Sequence, residues 1–199
     1  MEVKLPHRKD LKLLETFLLL GAMKLVNASR VFEFGTFLGS TTLNIALNLP
    51  ADGKVFTFDL DRRDLADAEQ HPSDAPLTVT HLANEKSLDF LQHPEACRKV
   101  TTLTGNSRTF DFSHWYGSMD LVFVDGGHDA TTVKADTENA QKLIRQSGPA
   151  CIMWHDYGNL PYPDVEVYLN ELAAGHEIFH VEDTMMCVLF TDPTMIAKI

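Results

Sequence analysis

Two short stretches hold the most reactive side chains of this chain. Asp125-Gly126-Gly127-His128-Asp129 follows one apolar run, and Trp154-His155-Asp156-Tyr157-Gly158-Asn159 follows another. Carboxylates and imidazoles on adjacent loops can hold a hard divalent cation such as Mg²⁺ or Mn²⁺. Asp125, His155 and Asp156 are the candidate ligands, and His128, beside Asp125, is the candidate general base. A cation there would acidify a bound hydroxyl, and an imidazole titrating near neutrality could take its proton. Glycines at 126 and 127 bring backbone close to a ligand. The competing reading is local: Asp129 caps the next helix, and His155 is a satisfied loop residue.

Upstream, Val31-Phe32-Glu33-Phe34-Gly35-Thr36-Phe37-Leu38-Gly39-Ser40-Thr41-Thr42 reads as a buried strand, a loop with two glycines and a helix start. Gly35 and Gly39 permit a sharp turn and close ligand approach. The free N–H groups of the helix start, with cap types Ser40, Thr41 and Thr42, suit a carboxylate or phosphate. The spacing is neither GxGxxG nor a Walker A loop, so the cofactor is nucleotide-like but not a dinucleotide. Glu33 suits an ammonium or hydroxyl better than a diphosphate. A second strand, Lys54–Asp61, places Asp59 roughly twenty residues past the glycines, where a carboxylate can accept from ribose hydroxyls. Asp61 is the second candidate, or the cap of a short helix over 62–68.

Strands at 30–35, 54–59, 100–104, 119–124 and 150–154 alternate with helices at 41–48, 129–146 and 164–173. Such alternation predicts a doubly wound, mostly parallel α/β sheet of Rossmann-like form, with ligands at the carboxyl ends of the strands. The runs 177–181 and 185–190 predict an antiparallel edge hairpin, which completes seven strands. Within 70–98 the spacing predicts a strand at Leu77–His81 and a helix at Glu85–Gln92. An added N-terminal helix is expected over 10–28, with Leu11, Leu14, Leu18, Ala22 and Leu25 on one face. It can pack on the core, cover the cofactor mouth or form a homo-oligomer contact.

At 199 residues the chain is expected to form a single domain, 1–199, with a core at 30–190 and the helical addition at 1–28. A net charge of −11 argues against nucleic acid and anionic membrane partners. Cys97, Cys151 and Cys187 have neither metal nor disulfide spacing, which fits a reducing, cytoplasmic setting; Cys151 and Cys187 fall in strand-like runs and read as core. The run Phe17–Leu20 is too short to span a bilayer. His7, His71, His81, His93, His114, His176 and His180 lack reactive company and read as structural or solvated.

These motifs together resemble class I S-adenosylmethionine-dependent methyltransferases, in the small branch related to catechol- and caffeoyl-type O-methyltransferases and antibiotic-tailoring enzymes. The resemblance covers residues 30 to about 190 and rests on Glu33–Thr42, Phe58-Asp59, Val124–His128 and His155-Asp156-Tyr157. It implies methyl transfer to a hydroxyl of a small-molecule acceptor. Glu33 and Gly35 would line the methionine end of the cofactor, with Thr41 near its carboxylate. Phe37 stands where the family often has a third glycine or an aromatic residue. Asp59 would hold the ribose, and Asn106 and Ser107 would approach the adenine. Asp125 and Asp156 match the two metal carboxylates of the metal-dependent branch. His155-Asp156-Tyr157 replaces the usual Asp-Asn pair, and His128 falls where catechol-type enzymes carry a catalytic lysine. Trp154, Tyr157 and Tyr162 are candidate walls for the acceptor, or packing residues. Without the cation, His128 and His155 alone would serve; without catalysis, the chain would be a cofactor-binding protein.

Overall fold

A computed structural model describes residues 1–4, 11–68 and 70–198, with side chains through 195. His7 and the first residue of the expected N-terminal helix lie outside these. The chain runs α1 (Leu13–Leu25), β1 (Arg30–Phe34), α2 (Ser40–Asn48), β2 (Lys54–Asp59), α3 (Ala75–Asn84), α4 (Pro94–Cys97), β3 (Val100–Thr104), β4 (Leu121–Val124), α5 (Ala130–Leu143), β5 (Cys151–Trp154), α6 (Pro163–Leu172), β6 (Phe179–His180) and β7 (Cys187–Phe190). The seven strands lie in the order β3-β2-β1-β4-β5-β7-β6. The first five are parallel, and β7 pairs antiparallel with both β5 and β6. This is the mostly parallel, doubly wound sheet with an antiparallel edge that the alternation predicts.

Side-chain alternation along the strands builds two cores. Val31, Leu121, Phe123, Cys151 and Met153 face α1 and α2, packing with Leu19, Leu20, Leu43 and Ile45. Phe32, Phe34, Val122, Ile152 and Trp154 face α5 and α6, packing with Val133, Ala140, Val165 and Leu169. Strands β4 and β5 are buried along their whole length, as a central parallel strand must be. Cys151 and Cys187 are core residues, as their strand-like runs suggest. No helix among the described residues is long and apolar enough to cross a membrane.

Several local expectations are corrected. Leu77–His81 is not a strand but the middle of α3, which has Pro76 in its first turn. Proline preorganises that turn, and the β-branched Val79 finds no neighbouring strand and stays 67 % exposed. The helix expected at 85–92 shrinks to a 3-10 turn at Asp89–Gln92, and the helix at 62–68 to one at Arg62–Asp64, capped by Asp61. The buried residues of α1 are Glu15, Thr16, Leu19, Leu20, Ala22 and Met23, with Leu11 and Val26 buried just outside its ends; Leu14 is half exposed. β3 is an edge strand with largely exposed side chains. In α5, Ala130 is exposed while Asp136 is buried, and the helix ends at Leu143, before Gly148.

Candidate functional site

The glycine loop after β1 is set by contact and by conformation. Gly35 has φ +95°, and a Cβ there would fall 1.9 Å from the Asp125 carbonyl oxygen, so only glycine lets the β1 and β4 loops touch. Phe37, where the resemblance places a third glycine or an aromatic residue, adopts φ +46°, the left-handed region glycine enters freely. Asp59 supports this turn: its Oδ2 accepts from the Thr36 and Phe37 N–H groups at 2.8 and 2.9 Å, and its Oδ1 from Leu60 N–H at 2.8 Å. Gly39, with φ +82°, takes the N-cap of α2, so Ser40–Thr42 lie inside the helix.

The loops converge on a cavity of about 610 Å³. Gly35, Phe37, Thr41, Asp59, Asn106, Ser107, Asp125, His128, His155 and Asp156 all line it, as their strand-end positions require. Glu33 and Gly39 do not; they stand behind the wall. On β1, Glu33 points opposite to Phe32 and Phe34, towards α2, where the Thr42 hydroxyl donates to it. Complete burial pushes the Glu33 carboxyl up to about 8, against the hydrogen bonds from Thr42 and Thr57 and with the repulsion of Asp125 and Asp59.

At the other end of the cavity, Asp125, His128 and Asp156 each bring a ligand atom within 4.8 Å of the other two. His128 is clamped between carboxylates, with Nδ1 2.7 Å from Asp74 Oδ1 and Nε2 2.7 Å from Asp156 Oδ2. Its backbone N–H also donates to Asp74 Oδ2. Burial alone would lower the His128 pKa, but the two carboxylates outweigh it and push the imidazole up to about 10. His155 Nδ1 lies 3.2 Å from Asp125 Oδ1 and 3.1 Å from Asp156 Oδ2, and its Nε2 lies 3.3 Å from Glu15 Oε2. Against burial, those carboxylates also hold the His155 pKa well above its ordinary value. Asp156 has φ +65° and also accepts from the Asn159 amide. Its two imidazole partners keep its carboxyl ionised despite burial.

Among the candidate acceptor walls, only Tyr162 lines the cavity. Its ring stacks on His128 at 3.7 Å between centroids and 12° between planes. Trp154 is a core residue whose indole N–H donates to Thr137, and the Tyr157 hydroxyl donates to Asn170. The structure adds residues that the motifs do not show. Asp74 arrives from the segment between β2 and β3. Glu15 arrives from α1, where it also accepts from Met185 N–H and caps the helix through Lys12 N–H. A polar residue in register with Leu11 and Leu19 on the buried stripe was the available signal for Glu15; Asp74 has no local signature. Asp129 is the N-cap of α5, accepting from Thr131 and Thr132 N–H.

Oxygen and imidazole donors in this number and spacing fit a hard divalent cation. The fit rests on Asp125 and Asp156; the imidazole grouped with them is that of His128, not the expected His155.

A family profile described as a methyltransferase domain matches residues 32–157. The chain is 29 % identical over 107 residues to a caffeoyl-CoA O-methyltransferase of Petroselinum crispum, covering 54 % of this chain and 39 % of that protein. The match therefore spans about two-fifths of that relative's length. Among solved structures, the SAH-bound Podospora anserina methyltransferase PaMTH1 superposes with TM-score 0.58 at 14 % identity, over 89 % of this chain and 77 % of that one. The O-methyltransferase TomG of Streptomyces achromogenes, involved in tomaymycin synthesis and solved with SAM, gives TM-score 0.55 at 20 % identity, over 92 % and 82 %. At these identities the structural likeness shows the fold.

Proposed function

The chain belongs to the methyltransferase domain family, and on that premise we propose that it transfers a methyl group from S-adenosylmethionine to a hydroxyl oxygen of a small acceptor. The observation that carries this reading is one cavity running from the glycine loop and Asp59 to Asp125, His128 and Asp156. The β1 loop and the start of α2 would hold the amino-acid end of the cofactor, with Asp59 at the ribose and Asn106 and Ser107 near the adenine. Asp125 and Asp156, with His155 beside both, would hold a divalent cation, which when bound lowers the pKa of the acceptor hydroxyl. With Asp156 drawn onto the cation, His128 would lose one of the two carboxylates that hold it protonated, and the neutral imidazole would take the hydroxyl proton at Nε2 while Asp74 fixes Nδ1–H. Stacked Tyr162 would bound the acceptor. Holding acceptor oxygen, methyl and sulfonium in line supplies much of the rate.

A second reading has its own observation: both imidazoles already pair with the carboxylates and carry raised pKa values. Two imidazoliums would then supply the positive charge without a cation. The test combines calorimetry and turnover. S-adenosylmethionine should bind, and Asp59→Ala should weaken binding by about tenfold or more, the worth of a hydrogen bond to a charged group. Excess EDTA should abolish methyl transfer and Mg²⁺ restore it; full activity in EDTA favours the second reading. Failure of the unmodified protein to bind S-adenosylmethionine would overturn both.

A further inference from the structure

We propose that Asp136 reads the 6-amino group of the cofactor's adenine, an inference that rests on S-adenosylmethionine being the ligand of this cavity. Asp136 lies on the second turn of α5, 2 % exposed, in a helix whose other inward residues are Val133, Thr137, Ala140 and Leu143. An acidic side chain on such a stripe costs stability unless its oxygens are paired. Ser107 hydrogen-bonds the carboxyl, yet Oδ1 has no partner among the described residues. Asp136 is one of the residues that line the cavity.

Its neighbours fix which part of the ligand it would meet. A Cβ on Gly126 would stand 2.7 Å from Asp136 Oδ2, so glycine at 126 lets the carboxyl reach the floor of the β4 loop. On the other side it meets Ser107, past the end of β3, and the Asn139 amide donates to the Ser107 carbonyl at 3.1 Å to hold that loop on α5. The Asp59 carboxylate lies at the end of β2, between this corner and the glycine loop. A ligand with its ribose at Asp59 and its amino-acid end at Thr41 therefore directs its base towards Asn106, Ser107 and Asp136. Adenine offers there one strong exocyclic donor, the 6-amino group, and Oδ1 is an acceptor in want of one. Burial raises the Asp136 carboxyl to about 7, so it is substantially protonated near neutral pH; its carbonyl oxygen still accepts, while its O–H can donate to an adjacent ring nitrogen. Asp136 is thus a specificity-determining residue for adenine over bases that lack the amino group.

The test is a double-mutant cycle on S-adenosylhomocysteine binding, read by calorimetry. Its arms are Asp136→Leu and the ligand analogue with hydrogen in place of the 6-amino group. Asp136→Leu should weaken S-adenosylhomocysteine binding roughly tenfold, and the analogue should lose a similar factor on the unmodified protein. Asp136→Leu should bind both ligands alike. Asp136→Asn, which keeps an acceptor oxygen, should restore most of the affinity; if the leucine variant does not fold, the analogue on the unmodified protein decides, and its binding as tightly as S-adenosylhomocysteine would overturn the assignment. Equal discrimination by the unmodified protein and a folded variant that lacks the acceptor would overturn the assignment while leaving cofactor binding intact. No binding to the unmodified protein would instead remove the reading on which it rests.

Discussion

At the scale of single residues, the site is a set of ionisable groups forced out of their ordinary ranges by burial and by one another. Glu33 is the clearest case because it does not line that cavity and is completely buried. Its carboxyl is raised from 4.5 to about 8, so the folded state holds a proton that the unfolded chain releases. Stability from this group is complete below pH 4.5 and is lost as pH rises through about 8. Glu33→Gln removes that loss. It should therefore gain on the unmodified protein between pH 5 and 8, by about 1 kcal/mol or more, or roughly 2–4 °C in midpoint. Thermal unfolding at several pH values checks this, and parallel curves for the two proteins would show that Glu33 is ionised when folded.

At the scale of elements, α1 is joined to the reactive end of the cavity through one side chain. Glu15 is 1 % exposed and bonds Met185 N–H, Lys12 N–H and His155. Burial would raise its pKa, but those bonds hold it down at about 2, so its contribution is present above pH 4.5 and fades as pH falls towards 2. Glu15→Ala strands a buried imidazolium and two N–H groups, and should cost about 3–5 kcal/mol in urea unfolding at pH 7. A loss below about 1 kcal/mol would mean that α1 docks by its leucines alone. The same helix shows how legible the chain was. Its existence followed from leucine periodicity, but its inward face did not, because leucines nearly encircle it and the deciding residue was an acid. Strands β1, β2, β4 and β5 were readable because central parallel strands are largely apolar. Their polar ends fixed Asp59, Asp125 and Asp156 in the cavity wall. Asp74 and Asp136 were not readable, since one precedes and the other lies within a helix whose docking only the tertiary fold decides. Leu77–His81 misled because strand propensity is a weak prior beside a proline at a helix start.

At the scale of the whole molecule, burial is uneven. The central strands are sealed on both faces, whereas residues 60–98 include short turns, α3 and α4, of which α3 buries only His81 and Leu82. Local opening should follow that division. Amide exchange is expected to be slowest in β1, β4 and β5 and fastest within 60–98. Adding S-adenosylhomocysteine should slow exchange at 35–37, 40–41 and 126–129, which line the cavity. Protection gained only elsewhere would place the ligand in a different cleft. The charge of −11 belongs to this scale too, and the acids Asp59, Asp74, Asp125 and Asp156 gather around a single cavity.

The stacking of Tyr162 on His128 has a practical corollary. A proton held over an aromatic face sits in the shielding region of the ring current, so the imidazole C–H resonances of His128 should be displaced upfield from those of most of the protein's nine histidines. His71 meets the same tyrosine edge-on and should be displaced far less. An acceptor that slides between the two rings would erase the displacement. The reactive imidazole therefore carries its own magnetic label, and its occupancy can be followed in solution without any added probe.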